Sequence, residues 1–437
     1  MAGPIEEKMR REWNQRARSD AYYYVASGRH RQDKAEFLST AEPVLSLLGA
    51  TFSRIRTAEP VEMRRALEIG CGPGRLMPGM RESFAEVHGV DVSDEMVSLA
   101  REHLREIAGT HVHRGSGSDL ADLPSAYFDF VYSYAVFQHI PDAGIVTRYL
   151  EESARVLKPG GVLACQLRGA ATASWDGSGN DATWFGCVYP PQDVFALTRR
   201  CGLQLLQIGG IDTQYTWVVA RRPQDDRPQS MAFEDAVVKA ITPAGNPFGL
   251  ISPRGPGAAF HCWLEGFPES TGLERLDVTV AGLPAVPCYL SDHLGRGGFQ
   301  LNVLMPSETP CGDALVRLQL DGKPVRGEHV IRVCEYPAPT PSIAGISDGE
   351  DLLAKHATTR GSLKILLHGV ADPNTISFTI ASRPIGAMRA VLYDAHHFAY
   401  EFTVILPDDL PAGLNAITVT APGWSGTAEF QNCMVAG

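Results

Sequence analysis

Residues 60–222 alternate between short apolar runs and amphipathic stretches. Seven apolar runs are typical of β-strands, and they lie at 66–69, 86–90, 111–113, 128–133, 161–167, 203–208 and 215–220. Two stretches between them, 94–108 and 143–157, repeat apolar residues at helical spacing. Ser93 is a favourable N-cap for the first, and Lys158-Pro159-Gly160-Gly161 ends the second. We therefore predict an α/β fold with a mostly parallel, doubly wound sheet that helices cover on both faces.

The periodicity changes to two beyond residue 222. Residues 223–235 are polar and contain proline, so we interpret them as a linker. Alternating positions then predict short strands at 275–281, 298–304, 314–320, 328–334, 362–368, 375–380, 400–406 and 415–420. A Pro-rich joint at 336–342 divides this region, so we predict two β-sandwich domains, 236–335 and 336–437. Their pattern resembles immunoglobulin-like or IPT/TIG-type bacterial sandwiches.

The composition excludes several classes of protein. The chain has 437 residues, of which 44% are hydrophobic and 20% charged, as in ordinary globular proteins. No apolar run approaches the ~20 residues that span a bilayer, and the N-terminus has no apolar signal core, so we expect a cytoplasmic protein without membrane contact. The net charge of −11 argues against nucleic acid as a partner. The nine cysteines include no CxxC pair and no zinc-like spacing, so we expect reduced thiols and no metal.

The segment LEIGCGPGRL, residues 67–76, carries the strongest chemical signal. A short strand runs into Gly70-Cys71-Gly72-Pro73-Gly74, and glycines let a ligand lie directly on the backbone. Asp91 follows the second predicted strand, where an acid can accept hydrogen bonds from ribose hydroxyls. A dinucleotide-binding fingerprint needs Gly or Ala at the position that Arg75 occupies. The loop therefore favours a nucleoside ligand other than a dinucleotide.

Further motifs follow in order along the chain. Gly117-Ser118-Asp119-Leu120 comes after the third predicted strand, FDFVYSYAVFQHIPD covers 128–142, and ARVLKPGGVL covers 154–163. With the glycine loop and Asp91, they make residues 10–222 resemble the class I S-adenosylmethionine-dependent methyltransferases of the bacterial small-molecule type. This resemblance implies a seven-stranded sheet with a reversed last strand. It also implies S-adenosyl-L-methionine as the cofactor and S-adenosyl-L-homocysteine as the product.

The resemblance also implies roles for individual residues. Glu68 is expected at the amino acid end of the cofactor, with the glycine loop under its methionine and ribose. The other expected cofactor contacts are Gly70, Cys71, Gly72 and Gly74 in the loop, Asp91 at the ribose, Val92, Ser118, Asp119 and Leu120 at the adenine, and Ser133 and Tyr134 at the methionyl part. The N-terminal segment WNQRARSDAYYY resembles a leading helix that caps the cofactor, with Arg16 and Tyr23 as contacts. Alternatively, its aromatic residues only pack this helix onto the sheet.

Methyl transfer from a sulfonium is an in-line displacement that needs orientation and a path for a proton. His139, which follows the fourth strand, is a candidate general base, or else a residue that fixes the loop. Tyr134 is the second catalytic candidate. Gln138, Arg168 and Trp184 are candidates for holding the acceptor. Arg168 also fits a salt bridge on the sheet rim, and the segment 169–192 around Trp184 also fits a loop with one aromatic residue packed down.

Three functions follow from these observations. The first is methyl transfer to an oxygen or nitrogen of a small or medium-sized metabolite. The second is protein or peptide methylation, with the β domains recruiting the target. The third is a non-catalytic scaffold that binds S-adenosylmethionine. For the β domains we expect dimerisation, a protein partner, or docking onto the catalytic domain so that they close the acceptor pocket.

Overall fold

A computed structural model gives the fold of most of the chain. The described residues are 3–26, 31–169, 183, 186–211, 215–224, 236–245, 248–292, 294, 298–337, 339–349, 356–358, 361–394 and 398–433. Most of the predicted linker 223–235, and Trp184 with most of the loop around it, lie outside these residues. Within the described chain no helix is long and apolar enough to cross a membrane.

Seven α-helices occur among the described residues. They are α1 (Pro4–Ala26), α2 (Lys34–Ser39), α3 (Glu42–Gly49), α4 (Met77–Met80), α5 (Asp94–Leu104), α6 (Ala143–Val156) and α7 (Pro191–Arg200). The two predicted helices are α5 and α6. Each begins at a side-chain cap. The predicted cap Ser93 accepts a hydrogen bond from Met96 N, and Asp142 accepts one from Ile145 N.

All seven strands predicted in the first half are present. They are β1 (Arg65–Ile69), β2 (Glu86–Asp91), β3 (Thr110–Arg114), β4 (Phe128–Ser133), β5 (Leu157–Arg168), β6 (Gln204–Gly209) and β7 (Tyr215–Arg221). Their order is β3-β2-β1-β4-β5-β7-β6, and β7 runs antiparallel to both of its neighbours. The prediction of a doubly wound α/β sheet is confirmed, and the last strand in sequence is the reversed one.

Alternate residues of these strands pack into two layers, as the strand period of two requires. Leu67 and Val131 belong to a core that includes the inner face of α6. Ala66 and Phe130, one position away, belong to the core under α4 and α5. Because both faces are covered, the central strands are buried and read as continuous apolar runs.

Residues 237–333 form the first β unit. Its strands are β8 (Val237–Pro243), β9 (Ala259–Glu265), β10 (Leu276–Val280), β11 (Leu283–Leu290), β12 (Gly298–Leu304), β13 (Gly312–Leu320), β14 (Lys323–Pro324) and β15 (His329–Val333). Strand β11 pairs with β10, with β12 and, through Tyr289 and Gln207, with β6 of the catalytic sheet. One apolar core extends from α6 and β6 into this unit. The sheet therefore does not stop at the predicted linker.

Residues 342–432 form the second β unit. Its strands are β16 (Ser342–Asp348), β17 (Ala357–Thr358), β18 (Ser362–His368), β19 (Ser377–Ile380), β20 (Arg383–Ile385), β21 (Ala387–Asp394), β22 (Ala399–Ile405), β23 (Gly413–Ala421) and β24 (Trp424–Asn432). They make two sheets, β16-β18-β22-β21 and β17-β24-β23-β19-β20, around a core of their own. The predicted all-β second half is confirmed, whereas its immunoglobulin-like character and the domain boundaries stay predictions.

Candidate active site

The glycine loop follows directly from β1. Gly70 and Gly72 have φ angles of 75° and 52°, which side chains rarely adopt. A Cβ atom on Gly70 would lie 2.3 Å from Cγ2 of Val136, so only glycine fits there. The backbone N–H groups of Gly70 and Cys71 donate to the carbonyl of Val90 at 2.7 and 3.1 Å. The loop is thereby held across the carboxyl end of β2 with its backbone exposed to the cleft.

Asp91, at the end of β2, faces the same loop. Its Oδ2 accepts from Gly72 N at 2.9 Å and its Oδ1 accepts from Ser93 N at 2.8 Å. Burial raises the pKa of this carboxyl, and hydrogen bonds from the backbone N–H groups of Ser93, Gly72 and Val92 oppose that shift. These donors fix the carboxylate at the end of β2, and its contact with a ribose stays a prediction.

These residues line a cleft at the carboxyl edge of the sheet, where parallel α/β sheets bind their ligands. Its walls combine the loop, the tips of β2 and β4, and two N-terminal segments. The lining residues are Met9, Trp13, Tyr24, Val25, Ile69, Gly70, Gly72, Val90, Asp91, Val92, Met96, Gly117, Tyr134, Ala135, Val136, His139, Ile140 and Tyr149. Of the predicted site residues, the cleft thus brings together Gly70, Gly72, Asp91, Val92, Tyr134 and His139.

Helix α1 covers the cleft because it is bent. Asp20 has φ −166° and ψ 82°, and its Oδ1 accepts from Tyr23 N at 3.2 Å, which starts a second helical segment. This segment places Val25 over the loop, where a Cβ on Gly72 would lie 3.1 Å from the Val25 side chain. Asn14 holds the first segment to α5 by accepting from the Ser93 hydroxyl at 2.7 Å.

The predicted lid contacts, Arg16 and Tyr23, do not line the cleft. Arg16 donates to the Thr183 hydroxyl at 2.8 Å and lies 4.8 Å above the Trp13 ring. The structure brings Trp13 and Tyr24 to the cleft instead. The aromatic pattern WNQRARSDAYYY was the signal for this lid. Which of its residues face inward depends on the bend at Asp20, and no periodicity reveals that bend.

His139 ends a short 3₁₀ turn, Phe137–His139, beyond β4. Its imidazole lies edge-on to Trp13, with ring centroids 5.6 Å apart. Its Nε2 lies 3.2 Å from Nε2 of Gln138. Ala135, just before this turn, has a positive φ of 57°, a strained value for a residue with a side chain. The end of β4 is thus bent so that His139 reaches the wall of the cleft.

Several predicted cofactor residues lie behind the cleft wall and support it. Glu68 is buried under the loop, where the Tyr132 hydroxyl donates to its Oε2 at 3.0 Å. Burial raises the pKa of Glu68 to about 8. Arg75, next to Glu68, donates to the backbone carbonyl of Thr40 at 3.0 Å. Arg75 therefore ties the end of the glycine loop to Thr40, the residue after α2. The contact of Glu68 with the cofactor stays a prediction.

The remaining predicted cofactor residues have structural contacts in the described chain. Cys71 fills the space against Gly89, and Gly74 lets α5 approach, since a Cβ there would lie 2.9 Å from Leu104. The Ser133 hydroxyl donates to Ile69 O at 2.9 Å. Ser118 N donates to the Ser116 hydroxyl at 3.2 Å, and only Gly117 of the 117–120 motif lines the cleft. The adenine contacts predicted for Ser118, Asp119 and Leu120 stay predictions.

The predicted acceptor residues lie around one strand end. Gln138 and Arg168 are buried, and the segment 186–189 covers them, because Gly186 N donates to Gln138 O at 2.7 Å and Tyr189 N donates to Arg168 O at 2.7 Å. Oε1 of Gln138 is buried without a hydrogen-bond partner among the described residues. Neither side chain lines the cleft. Their roles, and that of Trp184, stay predictions.

The comparisons with known proteins agree with this geometry. Residues 67–165 match the family model described as a methyltransferase domain. The chain therefore contains an S-adenosylmethionine-dependent methyltransferase domain. S-Adenosylmethionine is the cofactor of this domain. Two observations fit that cofactor: glycines leave the loop backbone bare where Cβ atoms would fill the space, and the Asp91 carboxylate lines the same cleft. The contact of Asp91 with the ribose stays a prediction.

Named relatives of this methyltransferase domain cover only part of the chain. The ubiquinone biosynthesis O-methyltransferase of Methylococcus capsulatus is 34% identical over 101 residues, or 23% of this chain and 41% of that protein. The protein of the same name from Cereibacter sphaeroides is 26% identical over 190 residues, or 40% of this chain and 76% of that protein. A solved structure of geranyl diphosphate C-methyltransferase from Streptomyces coelicolor A3(2) is 15% identical, with a TM-score of 0.39, and the match covers 51% of this chain and 98% of that one.

Proposed function

We propose that this protein transfers a methyl group from S-adenosylmethionine to a hydroxyl oxygen of a small, largely apolar metabolite, with His139 as the proton acceptor. The observation that carries this proposal is the imidazole of His139 in the wall of the cleft, against the edge of Trp13. Relatives at 26–34% identity are named O-methyltransferases, which agrees with oxygen as the accepting atom.

The lining of the cleft supports an apolar acceptor. Its described lining includes Trp13, Tyr24, Ile140 and Tyr149 and no Lys or Arg, and Trp13 lies against His139. Such a lining favours an aromatic or aliphatic skeleton over a phosphorylated or strongly charged one. The carboxylate of Asp91, which lines the same cleft, is assigned to the ribose.

The residues of the chain supply binding, orientation and proton transfer. S-Adenosylmethionine, when bound, supplies an electrophilic methyl group on a sulfonium. Asp91 accepts hydrogen bonds from the two ribose hydroxyls, and Gly70 and Gly72 provide backbone contacts. His139 takes the hydroxyl proton as the new carbon–oxygen bond forms, so the imidazole becomes imidazolium. Trp13 and Val25 exclude water from the reacting atoms.

The test supplies the full chain with S-adenosylmethionine labelled in its methyl group and with four acceptor classes: phenols, aliphatic alcohols, primary amines and unstructured peptides. We expect label on phenols or alcohols. His139→Gln should slow turnover about 10²–10⁴-fold while leaving affinity for S-adenosylhomocysteine unchanged. A general base also predicts a pH–rate profile whose acidic limb disappears in this variant, whereas a residue that only fixes the loop would leave that limb in place.

Other outcomes would redirect the assignment. Label on peptides alone would favour the protein methyltransferase, and label on amines alone would remove the hydroxyl acceptor. Binding of the cofactor without turnover on any class would favour the scaffold. A wild-type rate for His139→Gln would contradict the role proposed for the imidazole.

A further inference from the structure

A cluster of imidazoles lies on the outer edge of the catalytic sheet, away from the cleft. Glu86 and His88 belong to β2, and His111 and His113 belong to the edge strand β3. The parallel register places His88 directly beside His111. Residues 115–127, which connect β3 to β4 and are described throughout, form turns and no helix. This face of the edge is therefore open enough for polar side chains and an ion.

The geometry of three side chains suits one metal ion. One ligand atom from each of Glu86, His88 and His111 lies within 4.8 Å of the others. Nε2 of His88 is 3.4 Å from Oε2 of Glu86. Two ligands bound tetrahedrally to zinc at about 2.0–2.1 Å would be separated by about 3.3 Å. The cluster is thus close to the spacing of a coordinated set.

Neighbouring groups fix the orientation of these ligands. Nδ1 of His88 lies 3.0 Å from Nε2 of His113, so one ring donates to the other. With His88 as donor, its Nε2 keeps a lone pair that points toward Glu86. The Tyr127 hydroxyl donates to Oε2 of Glu86 at 3.0 Å, and Arg65 lies 3.3 Å from the same oxygen.

We propose that Glu86, His88 and His111 bind a divalent first-row transition metal ion of the zinc class, with His113 as the residue that orients His88. Imidazole and carboxylate donors suit this class of ion. Glu86 lies five positions before Asp91 on β2, about 17 Å along the strand, so the ion is remote from methyl transfer. Its role is structural: it joins β3 to β2, the strand that presents Asp91.

The test is a calorimetric titration of the full, chelator-treated chain with zinc chloride. We expect one ion per chain. His111→Ala changes an exposed residue, so it keeps the fold, and it should weaken this binding more than about 100-fold. His113→Ala should weaken it about 10–100-fold, as for residues that orient a ligand. His356→Asn, at an exposed turn outside the cluster, is the matched control and should bind like the wild type.

Zinc could also bind to thiols, since Cys311 and Cys433 are exposed, so the experiment must distinguish thiol from imidazole ligands. The double variant Cys311→Ser, Cys433→Ser should retain binding, and cobalt in place of zinc should show the absorption of a tetrahedral ion without thiolate charge-transfer bands. Undiminished binding by His111→Ala, loss of binding in the double serine variant, or no binding by the wild type would each overturn the proposal. In the last case the cluster is only a solvated polar edge.

Discussion

The two β units of the second half have the same alternating strand pattern in sequence, but they differ in how they contact the catalytic domain. The first unit, 237–333, shares one apolar core with the methyltransferase sheet and adds to it through β11 and β6. The second unit, 342–432, closes two sheets around a separate core. One unit is therefore a continuation of the catalytic domain, and the other is a self-contained module.

Buried charges show the same difference. Asp292 of the first unit accepts from Arg221 at 2.9 Å and from Arg56 at 2.7 Å, and Arg221 is largely buried. In the second unit, Asp409 and Arg383 form an exposed pair at 2.8 Å. Because the first contact joins the catalytic domain to the β unit and involves the buried Arg221, its loss should affect the whole enzyme. The second is a solvated surface pair.

The largest effect is expected from truncation. A chain ending at residue 335 should fold, and it should bind S-adenosylhomocysteine as the full chain does, because the second unit keeps its core to itself. A chain ending at residue 222 should aggregate, since it exposes the apolar surface that Leu203, Leu205 and Ile208 share with the first unit. Size-exclusion chromatography and calorimetry check both. If the 1–222 fragment were monomeric and bound the cofactor, the catalytic domain would fold without the first unit, as it is expected to do without the second.

Asp292→Ala should give the next largest effect. It leaves the guanidinium of Arg221 buried without its carboxylate, which costs about 3 kcal/mol in the free energy of unfolding. Asp409→Ala, which breaks the exposed pair in the second unit, is the control and should leave that free energy almost unchanged. Urea denaturation measures both variants. Equal effects of the two substitutions would remove the distinction between the units.

A smaller effect concerns pH. Glu274 lies at the junction, where its Oε2 accepts from Leu205 N at 2.8 Å, and burial raises its pKa to about 7. The folded chain thus holds a proton that the unfolded chain, with a pKa near 4.5, has lost. The free energy of unfolding should therefore fall between about pH 4.5 and 7, by about 3 kcal/mol. Glu274→Gln should reduce that fall, as followed by the melting temperature at several pH values. An unchanged slope would contradict the assignment to Glu274.

Local signals in the sequence predicted the catalytic sheet well. The seven apolar runs and the capped helices follow from period and turn chemistry, and Gly70, Gly72 and Asp91 lie in one cleft because parallel strands end at one edge. The pairing of β6 with β11 could not be predicted from such local signals. It rests on one pair, Gln207 and Tyr289, between residues far apart in sequence.

Contacts between residues far apart in sequence also explain why the imidazole cluster and the cleft-facing rings of α1 were not predicted. His88 and His111 are separated by more than a helix in sequence, and only the register of β2 with β3 brings them together. Glu86-Val87-His88 and His111-Val112-His113 each place two donors on one strand face, but neither spacing shows that the two strands pair. Trp13 and Tyr24 were recognised as part of an aromatic segment, but the bend at Asp20 selects which rings face the cleft.

We propose that the cleft at the glycine loop binds the methyl donor through Asp91. The direct measurement is calorimetric titration of the full chain with S-adenosylhomocysteine, for the wild type, Asp91→Asn and Asp122→Asn. Asn at position 91 still accepts from Gly72 N but loses the charge, so affinity should fall at least about tenfold. Asp122 is exposed outside the cleft, and its variant should bind one cofactor per chain like the wild type. Equal affinity of all three proteins, or no binding by the wild type, would contradict the account.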